Sequence, residues 1–558
     1  MRSSMAMYLL LLALLLLLPS PAPAPCYTAA RSECKKNHKF VPGSWLAGEG
    51  IDVTTLLRSR AFPVDTQKFQ RPDGTCTLCK NALQQNAVQR LPLALTHWRA
   101  EGSGCQHHVA KAKVNSIEGV AQKAAANIRN NWTVGLDVNP NPSINLHVSV
   151  AGSHSKVTDF AEQKNRQDQY SFNTDTVECR LYSLHLVQRP PLHPDFKKAL
   201  SSLPPHFNAS TEPDYKMLIS TYGTHFIQSM ELGGRISSLT ALRICKLTLD
   251  GLTVDDVGDC LEVEAQVSIT GHATSSSEFK ACEEKKQKQN MTTSFHQAYH
   301  ERHNDVVGGH HDSMYDLLFG NQAGPEKFSA WVASLSSSPG LVDYSLKPLH
   351  MLVKRQDPRR EALRQALGKY LMGRARWRDC SRPCPPGQQK SSRDPCQCMC
   401  HDSGATNQDC CPRQRGLARL QVTIIQAWGL WGDTVTASDA YVKVFFGKQM
   451  LRTEVIWNNN NPKWKTRLDF GDVLLATRGP LRVQVWDADH GWDDDLLGSC
   501  DRSPKSGSHE ENCHLNHGHL QFLYHVTCLP HLAGGTCLEY APRGLLREPP
   551  GNRSGAVW

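Results

Sequence analysis

The 558-residue sequence predicts a multidomain exported protein with a large α+β domain, a small disulfide-rich module and an all-β sandwich. Three observations predict this order. Alternating apolar runs and long polar stretches fill the first two thirds, seven cysteines crowd into 380–411, and alternating strands with clustered aspartates follow. The expected segments are a signal peptide (1–24), the large domain (25–373), the cysteine-rich module (374–412), the sandwich (413–535) and a tail (536–558).

The first 24 residues have the features of a secretory signal peptide. A short apolar run, Leu9 to Leu18, follows Arg2 and precedes a Pro/Ala stretch, in which Ala22-Pro23-Ala24 offers a cleavage site. No later stretch reaches the roughly 18 apolar residues of a membrane-spanning helix. We therefore expect a secreted protein that is water-soluble when made.

Composition agrees with export. The 20 cysteines are an even number, which predicts disulfides rather than free thiols, and the pair Cys76 and Cys79 favours a disulfide role over a metal site. The net charge of +9, with 25 histidines counted as neutral, predicts affinity for anionic surfaces or a polyanionic storage matrix. Nucleic acid is not an expected partner, because the charges are dispersed and the chain is exported. Sequons predict glycosylation at Asn131, Asn208, Asn290 and Asn552.

Three segments alternate with a period of two and are predicted to be strands. In 132–138 and 144–150 the apolar residues fall on one face, and the turn between them predicts an antiparallel hairpin. Segment 261–269 alternates in the same way. The ordinary interpretation is a half-buried sheet in a water-soluble domain.

Long polar stretches follow these runs, at 159–170 and 273–302, and are rich in Ser, Lys, Gln and Glu. They contain few apolar residues, so we expect solvated helical clusters that pack lightly on a sheet and could be released from it. A membrane-crossing β-strand needs only about 9–11 residues with one apolar face.

The string YGTHFIQSMELGG at 222–234 resembles the signature of the membrane attack complex/perforin family. Its characteristic positions are Tyr222, Gly223, Thr224, His225, Phe226, Gly233 and Gly234. The resemblance implies a bent central antiparallel sheet flanked by two helical clusters, near 128–180 and 255–310. In this family such clusters unwind into paired transmembrane hairpins, and many subunits close a ring. The glycine pair would ease the bend, whereas the alternative is a tight turn in an ordinary domain.

Catalytic arrangements are not evident in the sequence. It contains no GxSxG, and the histidines of 300–303 are one residue short of HExxH spacing. His225 is therefore interpreted as a structural hydrogen-bonding residue, and the chain is expected not to be an enzyme.

A helix and a disulfide-rich module are expected to connect the large α+β domain to the C-terminal sandwich. Asp357-Pro358 has the form of a helix start, and apolar residues recur at helical spacing up to Gly373. The cysteine-rich stretch after it resembles an epidermal-growth-factor-like module. Its crowded spacing leaves the pairing open, and a metal cluster is the weaker alternative.

From Leu417 the alternation of short strands predicts a sandwich, with aspartates clustered in two loops. So many carboxylates repel one another unless they share a cation, and Ca²⁺ suits flexible oxygen coordination. The strings SDAYVKV, NNPKW and DDDLLG resemble a C2 domain, a calcium-dependent lipid-binding sandwich. That resemblance implies the ligands Asp433, Asp439, Asp487, Asp489 and Asp495, with Asp494 or Asp493 for a further ion. Trp431 and Trp492 beside them are predicted membrane contacts.

Both resemblances together imply a calcium-dependent pore-forming cytolysin. It would bind the phospholipid membrane of a target cell, assemble into a homo-oligomeric ring and admit granule proteases. Storage in acidic, lysosome-related cytolytic granules would protonate the loop carboxylates and weaken calcium binding. Two other classes stay open, a secreted calcium-dependent lipid enzyme such as a phospholipase, and a non-lytic adhesion or lipid-binding protein.

Overall fold

The computed structural model describes residues 26–100, 105, 109–136, 138, 146–272, 276–310, 316–320, 323–381, 383–385, 387–392, 396–432, 436–475, 479–489 and 494–542. The predicted signal peptide, most of the predicted tail, Asp433, Trp492, Asp493 and Asn552 lie outside these residues.

The region before residue 375 is a mixed α+β domain, as predicted. Its strands are β1 (Cys26–Ala29), β2 (Gly50–Asp52), β3 (Leu57–Arg58), β4 (Cys76–Asn81), β5 (Ala87–Leu91), β6 (Leu95–Ala100), β7 (Ala110–Val114), β8 (Leu146–Ser149), β9 (Tyr170–Leu186), β10 (His225–Arg243), β11 (Arg302–Val307) and β12 (Gly340–Pro348). Its helices are α1 (Arg31–Cys34), α2 (Ile117–Ala124), α3 (Lys156–Gln167), α4 (Pro194–Ser202), α5 (Glu212–Tyr222), α6 (Ile244–Leu249), α7 (Val254–Thr270), α8 (Ser276–Lys288), α9 (Phe295–Ala298), α10 (Pro325–Ser334) and α11 (Arg359–Arg374). Short 3₁₀ turns lie at Ser44–Leu46, Ala82–Gln84 and Leu349–Leu352.

Two long antiparallel strands form the centre of this domain. Strands β9 and β10, of 17 and 19 residues, pair from Arg243 opposite Tyr170 to Ser229 opposite His185. The other side of β10 pairs first with β12 and then, beyond Gly234, with β11. Strands β6 and β7 extend the sheet beyond β9. The central sheet therefore changes its edge strand at the glycine pair.

The helices occur in two groups that flank this sheet. Helices α2 and α3 lie in the chain between β7 and β9, and α7 and α8 lie between β10 and β11. This arrangement confirms the expected sheet with two helical clusters. In the part of the chain that the structure describes, no helix is both long enough and apolar enough to cross a membrane.

The predicted hairpin at 132–150 is wrong where the structure describes it. Residues 132–136 form turns, in which Gly135 has φ +80° and the side chain of Asn131 accepts a hydrogen bond from the Thr133 amide at 3.1 Å. Segment Leu146–Ser149 is a strand, but it pairs with residues 376–379. The turn residues 139–145 lie outside the described range. A glycine in a left-handed conformation and an Asx turn favour local folding over an extended run.

The predicted strand at 261–269 is also wrong, because this segment belongs to helix α7. A capping box formed by Thr253 and Asp256 begins the helix, and Gly271 ends it with φ +76°. Buried Leu261, Ala265 and Ile269 are spaced four residues apart, so they share a helix face as well as a strand face. These apolar residues satisfy both the strand period and the helix period, and the capping box and Gly271 favour the helix.

The connecting helix and the cysteine-rich module follow. Helix α11 confirms the predicted amphipathic helix, and Pro358 occupies its N-cap. Strand β13 (Arg376–Asp379) leads into a two-stranded sheet of β14 (Gln388–Lys390) and β15 (Cys398–Cys400).

All 20 cysteines form disulfides, which confirms the prediction. The ten pairs are Cys26–Cys79, Cys34–Cys76, Cys105–Cys179, Cys245–Cys411, Cys260–Cys282, Cys380–Cys396, Cys384–Cys398, Cys400–Cys410, Cys500–Cys513 and Cys528–Cys537. The cysteine-rich module holds seven cysteines because the seventh, Cys411, bonds Cys245 at the end of the central sheet.

The C-terminal domain is the predicted sandwich of two four-stranded antiparallel sheets. One has the order β19 (Lys463–Leu474), β16 (Leu417–Trp428), β23 (Gly518–Cys528), β22 (Gly507–Leu515), and the other the order β18 (Gln449–Arg452), β17 (Ala440–Phe446), β20 (Leu481–Asp487), β21 (Asp495–Arg502). Alternating strand residues such as Leu420, Val422 and Ile424 are fully buried between the sheets.

A short clip follows the sandwich and contacts the first domain. Strands β24 (Leu532–Ala533) and β25 (Glu539–Tyr540) pair, and the Cys528–Cys537 disulfide closes this loop. The Tyr540 hydroxyl donates to the buried carboxylate of Asp168, which follows helix α3. The clip therefore joins the C-terminal domain to the first helical cluster.

Candidate functional site

Three of the predicted calcium ligands lie at one end of the sandwich. Asp439 directly precedes β17, Asp487 ends β20 and Asp495 begins β21. Because β20 pairs antiparallel with both neighbours, Asp487 lies opposite Ala440 on one side and opposite Asp495 on the other. The strand register thus places these carboxylates at the same edge.

Hydrogen bonds fix the carboxylates of Asp439 and Asp487. The Asp439 amide donates to Oδ1 of Asp487 at 2.6 Å, and Oδ1 of Asp439 accepts from the Asn458 amide at 2.6 Å. Asp487 is 2% exposed, and within the described part of the chain its buried Oδ2 has no hydrogen-bond partner. The backbone of Gly432 passes so close that a built Cβ would lie 1.9 Å from this oxygen. A buried carboxylate oxygen of this kind requires a partner, and a cation supplies one.

Asp489 and Asp494 form the second part of the cluster. The Asp489 amide lies 3.3 Å from Oδ1 of Asp494, and the Tyr441 hydroxyl donates to Oδ2 of Asp494 at 2.6 Å. Burial, and next this hydrogen bond, raise the pKa of Tyr441, so it remains a donor at every physiological pH. Asp494 is therefore already engaged by protein donors, which suits an outer rather than a central ligand.

The side-chain oxygens of this cluster that could bind a metal are all carboxylate oxygens, which suit a hard divalent cation such as Ca²⁺. Asp433 and Asp493 lie outside the described residues. Among residues that the structure does describe, no three acidic, histidine or cysteine side chains already stand close enough to hold a metal ion. The ligand set therefore stays a prediction.

Trp431, a predicted membrane contact, is 56% exposed at this end of the sandwich. Its ring stacks on the His517 imidazole, with centroids 3.9 Å apart and planes 4° from parallel. Nδ1 of His517 lies 2.9 Å from the Trp431 carbonyl oxygen. The ring is held in place while its outer face remains open to solvent.

Trp457 at the same end was missed in the sequence. It is the most exposed tryptophan of the described residues, at 64%. Its neighbour Asn458 donates to Asp439, and the Asn459 amide donates to the Ser438 carbonyl at 2.9 Å. A signal was present, because Trp457 directly precedes the asparagine run of the loop, but sequence does not distinguish an exposed ring from a buried one.

The signature string has a structural role at the start of β10. His225 is fully buried; its Nε2 lies 3.0 Å from the Trp132 carbonyl and its Nδ1 2.8 Å from the Thr224 hydroxyl. A carbonyl can only accept, so Nε2 donates and Nδ1 accepts from Thr224. Burial lowers the pKa of His225 to about 4, which keeps the imidazole neutral. This geometry agrees with the predicted structural role.

The other signature residues form the turn between α5 and β10 and the glycine pair within β10. Tyr222 ends helix α5, Gly223 caps it with φ +78°, and Phe226 is buried in β10. At Gly233 the β9–β10 register shifts, and a built Cβ would lie 1.9 Å from the Cys179 carbonyl oxygen. A Cβ on Gly234 would lie 2.5 Å from the Trp331 ring. Both glycines permit backbone and ring contacts that any side chain would block.

Polar contacts join helix α7 to α9 within the second cluster, and join helix α3 of the first cluster to the residue that precedes β11. In the second cluster, Glu264 of α7 accepts hydrogen bonds from the amides of Phe295 and His296 at 2.8 and 2.9 Å. In the first cluster, Lys164 of α3 lies 2.8 Å from Glu301. Contacts of this kind are individually worth little in water. The sequons Asn131, Asn208 and Asn290 are all exposed, and their use stays a prediction.

Family models match the three parts of the chain. A MAC/Perforin domain matches residues 44–376, a C2 domain matches 418–517, and a "Perforin-1-like, EGF domain" matches 379–413. The chain is 72% identical to Perforin-1 of Homo sapiens and 69% identical to Perforin-1 of Mus musculus, in both cases over 96% of each chain. A solved structure titled "Structure of a C2 domain" is 36% identical, and the match covers 20% of this chain and 98% of that chain with a TM-score of 0.18.

Proposed function

This chain belongs to the perforin family of MAC/Perforin-domain proteins, and on that premise we propose that it is a secreted, calcium-dependent, pore-forming cytolysin. Family membership and the domain content support a pore-forming, membrane-binding, cytolytic protein. The residues that carry calcium dependence, oligomerisation and insertion are our proposal, as are the domain boundaries given above.

Docking is assigned to the aspartate end of the sandwich. Asp433, Asp439, Asp487, Asp489 and Asp495 would hold Ca²⁺, with Asp494 or Asp493 for a further ion. The bound ion would supply positive charge that cancels carboxylate repulsion and attracts lipid phosphate. The observation that carries this step is the buried Oδ2 of Asp487, which has no partner among the described residues.

Membrane contact is assigned to Trp431 and Trp457 at the same end, and to Trp492, which lies outside the described residues. The first two are exposed rings held by the fixed loops described above. An indole satisfies both its apolar face and its N–H at the lipid interface. These rings would anchor the protein once the loop charges are neutralised.

Insertion is assigned to the two helical clusters. Each would extend the central sheet as a pair of strands, and Gly233 and Gly234 would ease the bend as the sheet opens. Unpaired strand edges cannot remain in hydrocarbon, so one subunit is insufficient and a homo-oligomeric ring must close the β-barrel. The pore would admit granule proteases to the target cell. Storage in acidic cytolytic granules would keep the carboxylates partly protonated until secretion.

Dye release from phosphatidylcholine liposomes, with and without calcium, tests this function. Calcium-dependent leakage without lipid hydrolysis supports the pore former. Hydrolysis products would instead identify a phospholipase, and binding without leakage would identify a non-lytic lipid-binding protein.

A disulfide that tethers helix α3 to the central sheet tests the insertion step. The two cysteines would replace Ala161 and Ala241, which belong to one buried cluster. The tethered protein should bind liposomes in calcium but release no dye, because the first cluster cannot leave the sheet. Leakage equal to that of the parent would refute this assignment.

A further inference from the structure

The second helical cluster contains a disulfide whose position matches a β-hairpin. Cys260 of α7 bonds Cys282 of α8, and the two lie 22 residues apart. Gly271, which ends α7 in a left-handed conformation, is equidistant from both cysteines. If this segment were extended and turned at Gly271, the two cysteines would lie directly opposite each other.

This bond is compatible with both conformations. Directly opposed residues of antiparallel strands have Cβ atoms about 4.5–5.5 Å apart, close to the roughly 3.5–4.5 Å that a disulfide needs. The disulfide would therefore fix one register, in which Glu262 opposes Lys280 and Val263 opposes Phe279. No other register keeps the two cysteines opposed.

In that register the charged and the uncharged residues would lie on opposite faces of the hairpin. Between the cysteines, the odd-numbered positions carry no charge; apart from Gly271 they are Leu261, Val263, Ala265, Val267, Ile269, Ala273, Ser275, Ser277, Phe279 and Ala281. Every charged residue there has an even number, namely Glu262, Glu264, Glu278 and Lys280. Residues 273–275 lie outside the described range, and only their sequence is used.

The uncharged face also has the length of a membrane crossing. It ends on both strands at the same level, where Asp259 and Glu283 would oppose each other just beyond the disulfide. Each strand between the disulfide and the turn has about ten residues, and a membrane-crossing β-strand needs about 9–11.

Phe279 supports the same assignment from the structure itself. It is 44% exposed on helix α8, where a large apolar side chain gains nothing from water. On the odd face of the hairpin it would lie against lipid, opposite Val263.

We propose that 260–282 crosses the membrane as a single hairpin whose register is set by the retained Cys260–Cys282 disulfide. Odd-numbered side chains face lipid and even-numbered side chains face water. This inference rests on the proposed pore-forming function. Glu264 and Glu278 would then be a like-charge pair on the water side.

Two neighbouring lysine substitutions test which face meets lipid. Phe279 and Glu278 are neighbours and are both exposed on α8, so both substitutions are made at the surface. Phe279→Lys should abolish dye release while calcium-dependent liposome binding remains at the parent's level, because the charge would face hydrocarbon. Glu278→Lys, the matched control, should retain release, because it faces water and opposes Glu264. Leakage by Phe279→Lys at the parent's level, or its selective loss in Glu278→Lys, would overturn the proposed faces.

Disulfide mapping of the inserted protein tests the register. Liposomes would be washed with a calcium chelator to remove protein that is only docked, and the remainder digested without reductant. The Cys260–Cys282 peptide should be recovered intact, and free or exchanged cysteines at these positions would overturn the inference. If the parent itself releases no dye in calcium, the proposed function fails rather than the register.

Discussion

Replacing Gly233 with alanine tests whether the central sheet depends on close backbone contact at its bend. The added methyl carbon would lie 1.9 Å from the Cys179 carbonyl oxygen, whereas real Cβ atoms essentially never approach closer than 3.0 Å. The two strands would have to separate by about 1.1 Å in a close-packed interior. Cys179 cannot move freely, because it is paired in the sheet and bonded to Cys105.

Overpacking of this kind costs about 1–3 kcal/mol, and the upper end applies because the obstacle is backbone. For a domain of about 350 residues, about 3 kcal/mol corresponds to a melting temperature lowered by about 4 °C. Thermal unfolding followed by circular dichroism measures this shift. Gly368→Ala is the matched control, since a Cβ there meets nothing within 4 Å in helix α11, and a stability gain of about 0.5–1 kcal/mol is expected. A Gly233→Ala melting temperature within about 1 °C of the parent's would refute the close approach.

Three further predictions concern docking and pH. Asp439→Ala and Asp489→Ala should each abolish calcium-dependent sedimentation with liposomes while leaving the melting temperature near the parent's; retained binding by both would contradict the ligand assignment. Trp457→Ala should weaken liposome binding about tenfold without changing calcium affinity, and Met450→Ala, equally apolar and 48% exposed on β18, should not. Burial lowers the pKa of His225 to about 4, so the stability it contributes is present above about pH 6.5 and is lost as the pH falls toward 4. When the pH is lowered from about 7 to about 5, the free energy of unfolding should fall by about 2 kcal/mol less in His225→Gln than in the parent, as measured by denaturant titration. Equal decreases in the two proteins would show that His225 is not buried as a neutral group.

Local patterns determined much of the fold before any tertiary contact was known. The C-terminal sandwich follows from strands that alternate over one face, and helix α11 follows from apolar residues at helical spacing after Pro358. Asp439, Asp487 and Asp495 stand at strand ends, where the antiparallel register brings such residues together. The even cysteine count indicated complete pairing.

Tertiary structure decided what these patterns left open. Segment 261–269 has apolar residues that satisfy strand and helix periods alike, and only the structure shows it as a helix whose Leu261, Ala265 and Ile269 are buried in one hydrophobic cluster. Cysteine partners depend on distances through space, so the bond from Cys411 to Cys245 across 166 residues could not be read from spacing.

The sequence by itself determined the class of each domain and predicted which residues would bind calcium or lipid. Only the tertiary structure decided that Trp457 is exposed while His225 is fully buried, and that Gly233 touches another backbone. The physical reason is that periodicity depends on neighbours along the chain, whereas burial and close contact depend on segments that folding brings together from far apart.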